Sequence, residues 1–443
     1  MPNKSFYVAL LALMMLASAS KAEIFTRYHK DAFPGFGIKN PIFNLKKLGP
    51  INRGAIKKKL WSDDYWPIYT GGLAYRYAEP GFWIDPNKPK PTDWQIPGNH
   101  ILKKFPAAKF IRSGLTNSLS PAEKYDLLVG DVNSPNAKKN PGYSLTRAHL
   151  KDLTSKTQNW EGACDGWSFA AINEPAPVKA VKVKNRAGQP ITFYPSDIRA
   201  LLTLLYSDYD VYSFGQLCKE KKPRVQGESA RSSGRVINDH CRGLNPGIFH
   251  TVLVNQVGIG KRSLVVDSDY SAEVWNVPVV SYEAEYYNPM TMKPSRDAFA
   301  ARVARTTYTT DPNWYYRHPK RVAYIVGVNL KIKYQVENFP IARERIPAGH
   351  ERYFDDVLSY DLELDAQGNI IGGEWTGHSQ TNHPDIISYV STRDLFRSQF
   401  DSQIRGNNLP EILRSIKPEF VSKTSSNKRP LFKVVKALAR MSH

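Results

Sequence analysis

The chain has 443 residues, 41% hydrophobic and 12% aromatic, enough to bury a large core and to hold roughly two or three domains. Its net charge of +20 points to acidic partners or surfaces, such as anionic envelope polymers, membrane headgroups or acidic substrate proteins. No zinc, helix-turn-helix or ribonucleoprotein pattern accompanies that charge, so nucleic acid is not the expected partner.

Met1 to Ala22 reads as a secretory signal. Lys4 forms the positive start, Val8 to Leu16 the apolar stretch, and Ser20-Lys21-Ala22 the small-x-small cleavage site. The apolar stretch is too short to span a membrane, and no later segment reaches the ~18 apolar residues that a spanning helix needs. The mature protein is therefore expected to be soluble and exported, to the periplasm or beyond.

Residues 23–140 read as an N-terminal arm and accessory region. Its first part, to residue 60, is irregular, and the aromatic-rich run Leu60 to Tyr77 suits a core or a domain seam. Ser120-Pro121, with Glu123 following, predicts a capped helix through Leu128. Residues 141–337 read as the catalytic core. They begin with a short helix over Thr146–Leu153, then Gln158 to Ala171, in which Cys164 follows a Gly-Ala pair and starts an apolar helix that ends at Asn173-Glu174-Pro175. Val178 to Phe193 alternates like a hairpin, and Pro195 to Tyr206 reads as an amphipathic helix capped by Ser196 or Asp197. Strands are expected at Thr251–Gln256, Ser263–Val266, Glu273–Trp275, Val279–Tyr287 and Arg321–Val336. A β-rich region, 338–422, contains a hairpin on either side of Asp365 to Asn369. The basic tail, 423–443, reads as disordered or loosely helical.

In an oxidising compartment Cys218 and Cys241 are plausible disulfide partners, closing a polar loop worth about 3 kcal/mol in the chain-entropy model. Cys164 is then the odd thiol, although pairing of Cys164 with either of the others stays open at this level. A cysteine at a helix N-terminus gains from the peptide dipoles, which favour the thiolate. An acyl-transfer thiol also needs a base, a group that orients the base, and donors for the oxyanion. His250 at the head of an expected strand, Asp267 or Asp269 at the end of the next, and Gln158 six residues before Cys164 supply these roles in the chain order of papain-like enzymes. Trp160, Trp167 and Trp275 are candidates to line the substrate site, with core packing as their ordinary alternative. The fold class expected is α+β: a papain-like core in which the cysteine helix packs on an antiparallel sheet carrying the histidine and aspartate.

At Cys164, at Asn245 to His250, and above all at Val274-Trp275-Asn276-x-Pro278-Val279, the sequence resembles the transglutaminase elicitor family. These are secreted cysteine enzymes first known from plant pathogens, whose elicitor peptide the Trp275 run matches closely, with Val277 where that peptide has Gln. The resemblance implies protein-glutamine γ-glutamyl transfer, with Cys164 as nucleophile, His250 as base and the Asp267/Asp269 stretch as supporting carboxylate. It implies protein substrates carrying accessible Gln and Lys, and a calcium dependence for which no EF-hand pattern appears; Asp63, Asp64, Asp267 and Asp269 are the carboxylates at hand. Deamidation or proteolysis would use the same groups, and an exported binding protein is the alternative from another class.

Overall fold

A computed structural model describes residues 33–443 apart from 34–35, 83–95, 133–141, 155–156, 208–211, 228, 230–231 and 390–397. The expected signal segment lies outside the described residues. The chain folds as mixed helix and sheet, built on one large sheet in which every pairing is antiparallel. From one edge the strands run Ile370–Trp375, Arg352–Leu364, Tyr324–Val336, Asn276–Asn288, Val265–Asp267, Ile386–Tyr389 and Tyr212–Gly215. Arg53–Ala55 adds to the Asn276–Asn288 strand. The Tyr324–Val336 strand pairs along its length with Arg352–Leu364, so the sheet runs across residue 338.

Several elements follow from local chemistry. Ser120 accepts the Glu123 N–H (3.2 Å) and Glu123 returns a bond to the Ser120 N–H (3.0 Å), a complete capping box on the helix Pro121–Val129. Val181–Lys184 and Pro190–Phe193 form the expected hairpin. Asp365 closes the turn between Arg352–Leu364 and Ile370–Trp375 by accepting the N–H groups of Gln367 and Asn369. Helix Pro195–Tyr206 is capped two residues before Ser196, the nearer of the expected caps: Tyr194 is the N-cap, and Asp197 reaches back to its N–H.

Three readings change. The run Thr251–Gln256 is not a strand: helix Pro246–Leu253 carries it, followed by π-helical turns through Ile259. Asn245 caps that helix through its bond to the Gly247 N–H (2.9 Å), and Pro246 sits in its first turn. Glu273–Trp275 is irregular, and the strand starts at Asn276. The basic tail folds as helices Pro418–Ser425 and Phe432–Met441, with Val434, Val435 and Leu438 fully buried. One face of the last helix is apolar and the other carries Lys433, Lys436 and Arg440, so packing rather than net charge decides its fate.

A single apolar cluster draws on residues from Phe33 to Ala439 and fills the space between helices and sheet. Trp61 and Trp66, from the aromatic-rich run, lie fully inside it. Cys218 and Cys241 are disulfide-bonded, and Cys164 is free and buried.

Candidate active site

Helix Cys164–Asn173 packs against helix Pro195–Tyr206 and against the Asn276–Asn288 strand. The chain enters it by passing Tyr65, whose carbonyl accepts the Ala163 N–H (2.6 Å). A Cβ on Gly162 would stand 2.4 Å from that same oxygen, so only glycine allows the approach. Cys164 therefore begins the helix, in the first turn where peptide N–H groups are unpaired.

The sulfur is covered by the stretch just before the Asn276–Asn288 strand. The thiol donates to the Val274 carbonyl (3.5 Å), and the Asn276 side-chain amide donates to the sulfur (3.6 Å). Only 5% of Cys164 is exposed. Burial first, then the charges of Asp165 and Glu337, push the thiol up to about 12, while the backbone and side-chain N–H groups of Asn276 pull it down. Burial also raises Glu337 to about 8, helped by the charge of Asp64, and its buried Oε1 has no hydrogen-bond partner.

Asp267 lies directly behind this stretch, in register with Asn276 on the neighbouring strand. Its Oδ1 accepts the N–H groups of Trp275 (2.8 Å) and Asp269 (3.3 Å). Its carboxyl is hydrogen-bonded to that of Asp385, and burial raises both. Two buried carboxyls in contact hold one proton between them. Asp385 also accepts the Cys218 N–H (3.3 Å), and its carbonyl accepts that of Gln216 (3.1 Å). The acid pair thus ties the disulfide loop to the stretch that covers the cysteine.

The other expected residues fall as follows. His250 is fully buried in its helix, with Nδ1 2.8 Å from the Tyr360 hydroxyl and Nε2 3.3 Å from that of Tyr286. Both ring nitrogens are thus engaged by tyrosines, and burial lowers the imidazole to about 3. Asp269 caps the next turn by accepting the Ser271 N–H (2.6 Å) and does not reach the cysteine stretch through a hydrogen bond. Gln158 lies in the turn before the helix, its Oε1 accepting from Lys221 Nζ (3.2 Å). Trp160 is half-buried in the same turn. Trp167 is core: fully buried, its indole N–H donates to the Trp61 carbonyl (3.2 Å). Trp275 is half-buried, its ring edge against Tyr65 at 5.6 Å and its indole N–H on Glu273 (3.1 Å). Asn276, Glu337 and Asp385 were not singled out from the sequence; Asn276 stood inside the Trp275 run, whereas the other two carry no local signal.

A cavity of about 480 Å³, lined by Gln216, Arg235, Asn245, Tyr316, Trp375 and His383 among others, does not include Cys164. A smaller one of about 120 Å³ lies behind the helix start, lined by Gly162, Ala163, Asp165 and His149. None of the carboxylates at hand belongs, among the described residues, to a group spaced to hold a metal ion. Asp63 accepts from the Trp66 indole (2.8 Å) with its carboxyl raised by burial, Asp64 is raised to about 7 by burial, and Asp267 shares its proton with Asp385. Among the described residues no group of three acidic, histidine or cysteine side chains is spaced to hold a metal ion. No described helix is long and apolar enough to cross a membrane.

Residues 32–404 match the family model described as transglutaminase elicitor. The fold is similar to the crystal structure of the GP42 transglutaminase from Phytophthora sojae, with a TM-score of 0.52 at 20% identity over 83% of this chain and 95% of that one. No curated protein matches the chain. The family match spans most of the chain, and the protein belongs to the transglutaminase elicitor family.

Proposed function

We propose that this member of the transglutaminase elicitor family is an exported protein-glutamine γ-glutamyltransferase that works through Cys164. The observation that supports this most is the sulfur itself, at a helix start and bonded to Asn276 of the family-like strand. In this reading the Cys164 thiol passes its proton to Glu337, the nearby carboxylate with a raised pKa and an open acceptor atom. The thiolate attacks the γ-carboxamide carbon of a protein glutamine; the C–N bond breaks and ammonia leaves with the proton. A lysine amine then attacks the thioester, the C–S bond breaks, and an isopeptide crosslink and free thiol result. The helix N-terminus and the two Asn276 N–H groups favour negative charge at the sulfur. His250 holds the Tyr286 and Tyr360 hydroxyls in place rather than moving protons.

In the covered state a thiol raised to about 12 costs roughly 5 kcal/mol to ionise at about pH 8. The Val274–Asn276 stretch must therefore shift when substrate enters, removing the Val274 carbonyl from the thiol. The same cover favours a second reading, a family member that binds partners without catalysis. Both are tested by incubating the protein and Cys164→Ala with casein and a labelled primary amine, with and without calcium. Incorporation that requires Cys164 supports transfer. Ammonia release without incorporation indicates a deamidase, and no reaction under either condition leaves the binding reading.

A further inference from the structure

The Cys164 thiol rests on one peptide unit, and that unit is held from its other end. The Val274 carbonyl accepts the S–H (3.5 Å), and the Trp275 N–H of the same peptide donates to Asp267 Oδ1 (2.8 Å). A trans peptide is planar, with its carbonyl and N–H pointing in opposite directions. The bond to Asp267 therefore aims the carbonyl at the sulfur, and the plane stays fixed while that bond lasts. Asn276 follows directly, paired with Asp267 across the two strands, and its side-chain amide lies on the same sulfur (3.6 Å).

Asp267 is itself positioned by Asp385. Among the described residues no other group donates to Asp267 Oδ2 or to Asp385 Oδ1, both buried, and the two carboxyls bond to each other. The Asp385 N–H donates to the Asp267 carbonyl (3.2 Å), which fixes the backbones as well. From the other side, Asp385 accepts the Gln216 N–H on its carbonyl (3.1 Å) and the Cys218 N–H on Oδ2 (3.3 Å). Gly243 presses on it so closely that a Cβ there would stand 2.6 Å from the Asp385 Cα. We propose that Asp385 is a positioning residue for the Cys164 reaction: through Asp267 it locks the Val274–Trp275 peptide with its carbonyl on the thiol, so the nucleophile stays closed until substrate moves the cover. An alanine at 385 leaves Asp267 without its neighbour, and the peptide can then turn its carbonyl off the sulfur. An asparagine keeps the lock, because its oxygen accepts the Cys218 N–H while its NH2 donates to Asp267.

This inference rests on Cys164 being the nucleophile of the proposed transfer, yet it is read without turnover. Cys164 is the free thiol and is 5% exposed, so its alkylation by iodoacetamide, followed by intact mass on the full chain, reports opening of the cover. Asp385→Ala and Asp267→Ala are each expected to alkylate about 10-fold faster or more, the effect of losing one buried hydrogen bond. The double variant should be no faster than Asp267→Ala, because Asp385 acts through Asp267. Asp385→Asn should keep the wild-type rate. The faster rates should be insensitive to low urea, as local opening is. Asp385→Ala alkylating at the wild-type rate overturns the inference and leaves the transferase reading to casein labelling. Additive effects in the double variant, a fast Asp385→Asn, or a rate that climbs steeply with urea also overturn it. The predicted rates in a wild-type chain that labels no casein keep the lock and overturn the transferase reading.

Discussion

Cys164 is bonded through one stretch of chain in two opposing ways. The Val274 carbonyl holds the proton on the sulfur, whereas the Asn276 amide stabilises its loss. The charge of Glu337 opposes ionisation, yet its carboxylate is the proposed proton acceptor, and these two roles predict opposite outcomes. In Glu337→Gln the thiol should alkylate faster with iodoacetamide at a fixed pH, because a nearby negative charge is gone. Amine incorporation should fall by about 10²-fold or more, because the base is gone. Parallel increases in both rates would mean that Glu337 only repels the thiolate. His250 carries a different prediction. His250→Phe leaves the Tyr286 and Tyr360 hydroxyls buried without their partner, at a cost of about 1–3 kcal/mol in denaturant unfolding. The activity per folded molecule and its pH profile should stay; a lost limb in that profile would return His250 to a proton-transfer role. Cys164 was legible because its neighbours in sequence are also its local structure. Glu337 was not, because it reaches the site from the end of a strand far along the chain.

At the scale of elements, what could be read was what is locally determined. The Ser120 capping box, the hairpin around Asp365 and the helix opened by Pro195 each depend on side chains within a few positions. Helix Pro246–Leu253 was missed because Thr251, Val252 and Val254 are β-branched, and a wholly buried helix shows no polar face to reveal its period. The Asn245-Pro246 start was the better guide. The C-terminal helix shows the converse error, since a basic composition concealed an apolar face. Leu438 is fully buried there, so Leu438→Ala should cost about 2–5 kcal/mol in denaturant unfolding. A change within a few tenths of a kcal/mol would mean that the helix is not part of the cooperative core.

Across the whole molecule, the sheet and the disulfide loop converge on the Asp267–Asp385 pair, a contact that no local pattern could show. Both carboxyls are raised by burial, so the folded state keeps a proton that the unfolded chain has released above the ordinary carboxylate range. Their contribution is therefore present at low pH and is lost as pH rises through neutrality. Asp385→Asn, whose amide can donate to Asp267 at every pH, should make the fall in Tm between about pH 6 and pH 9 shallower. An unchanged slope would locate the alkaline sensitivity in Glu337, Asp64 or another raised carboxyl. The central claim, that Cys164 forms a thioester with glutamine, is tested most directly by acid-quenching the protein with a glutamine-containing peptide and measuring its mass. An adduct of the peptide minus one ammonia, mapped to Cys164 and discharged by a primary amine, is the predicted result. No adduct on Cys164, together with amine incorporation that persists in Cys164→Ala, would contradict it.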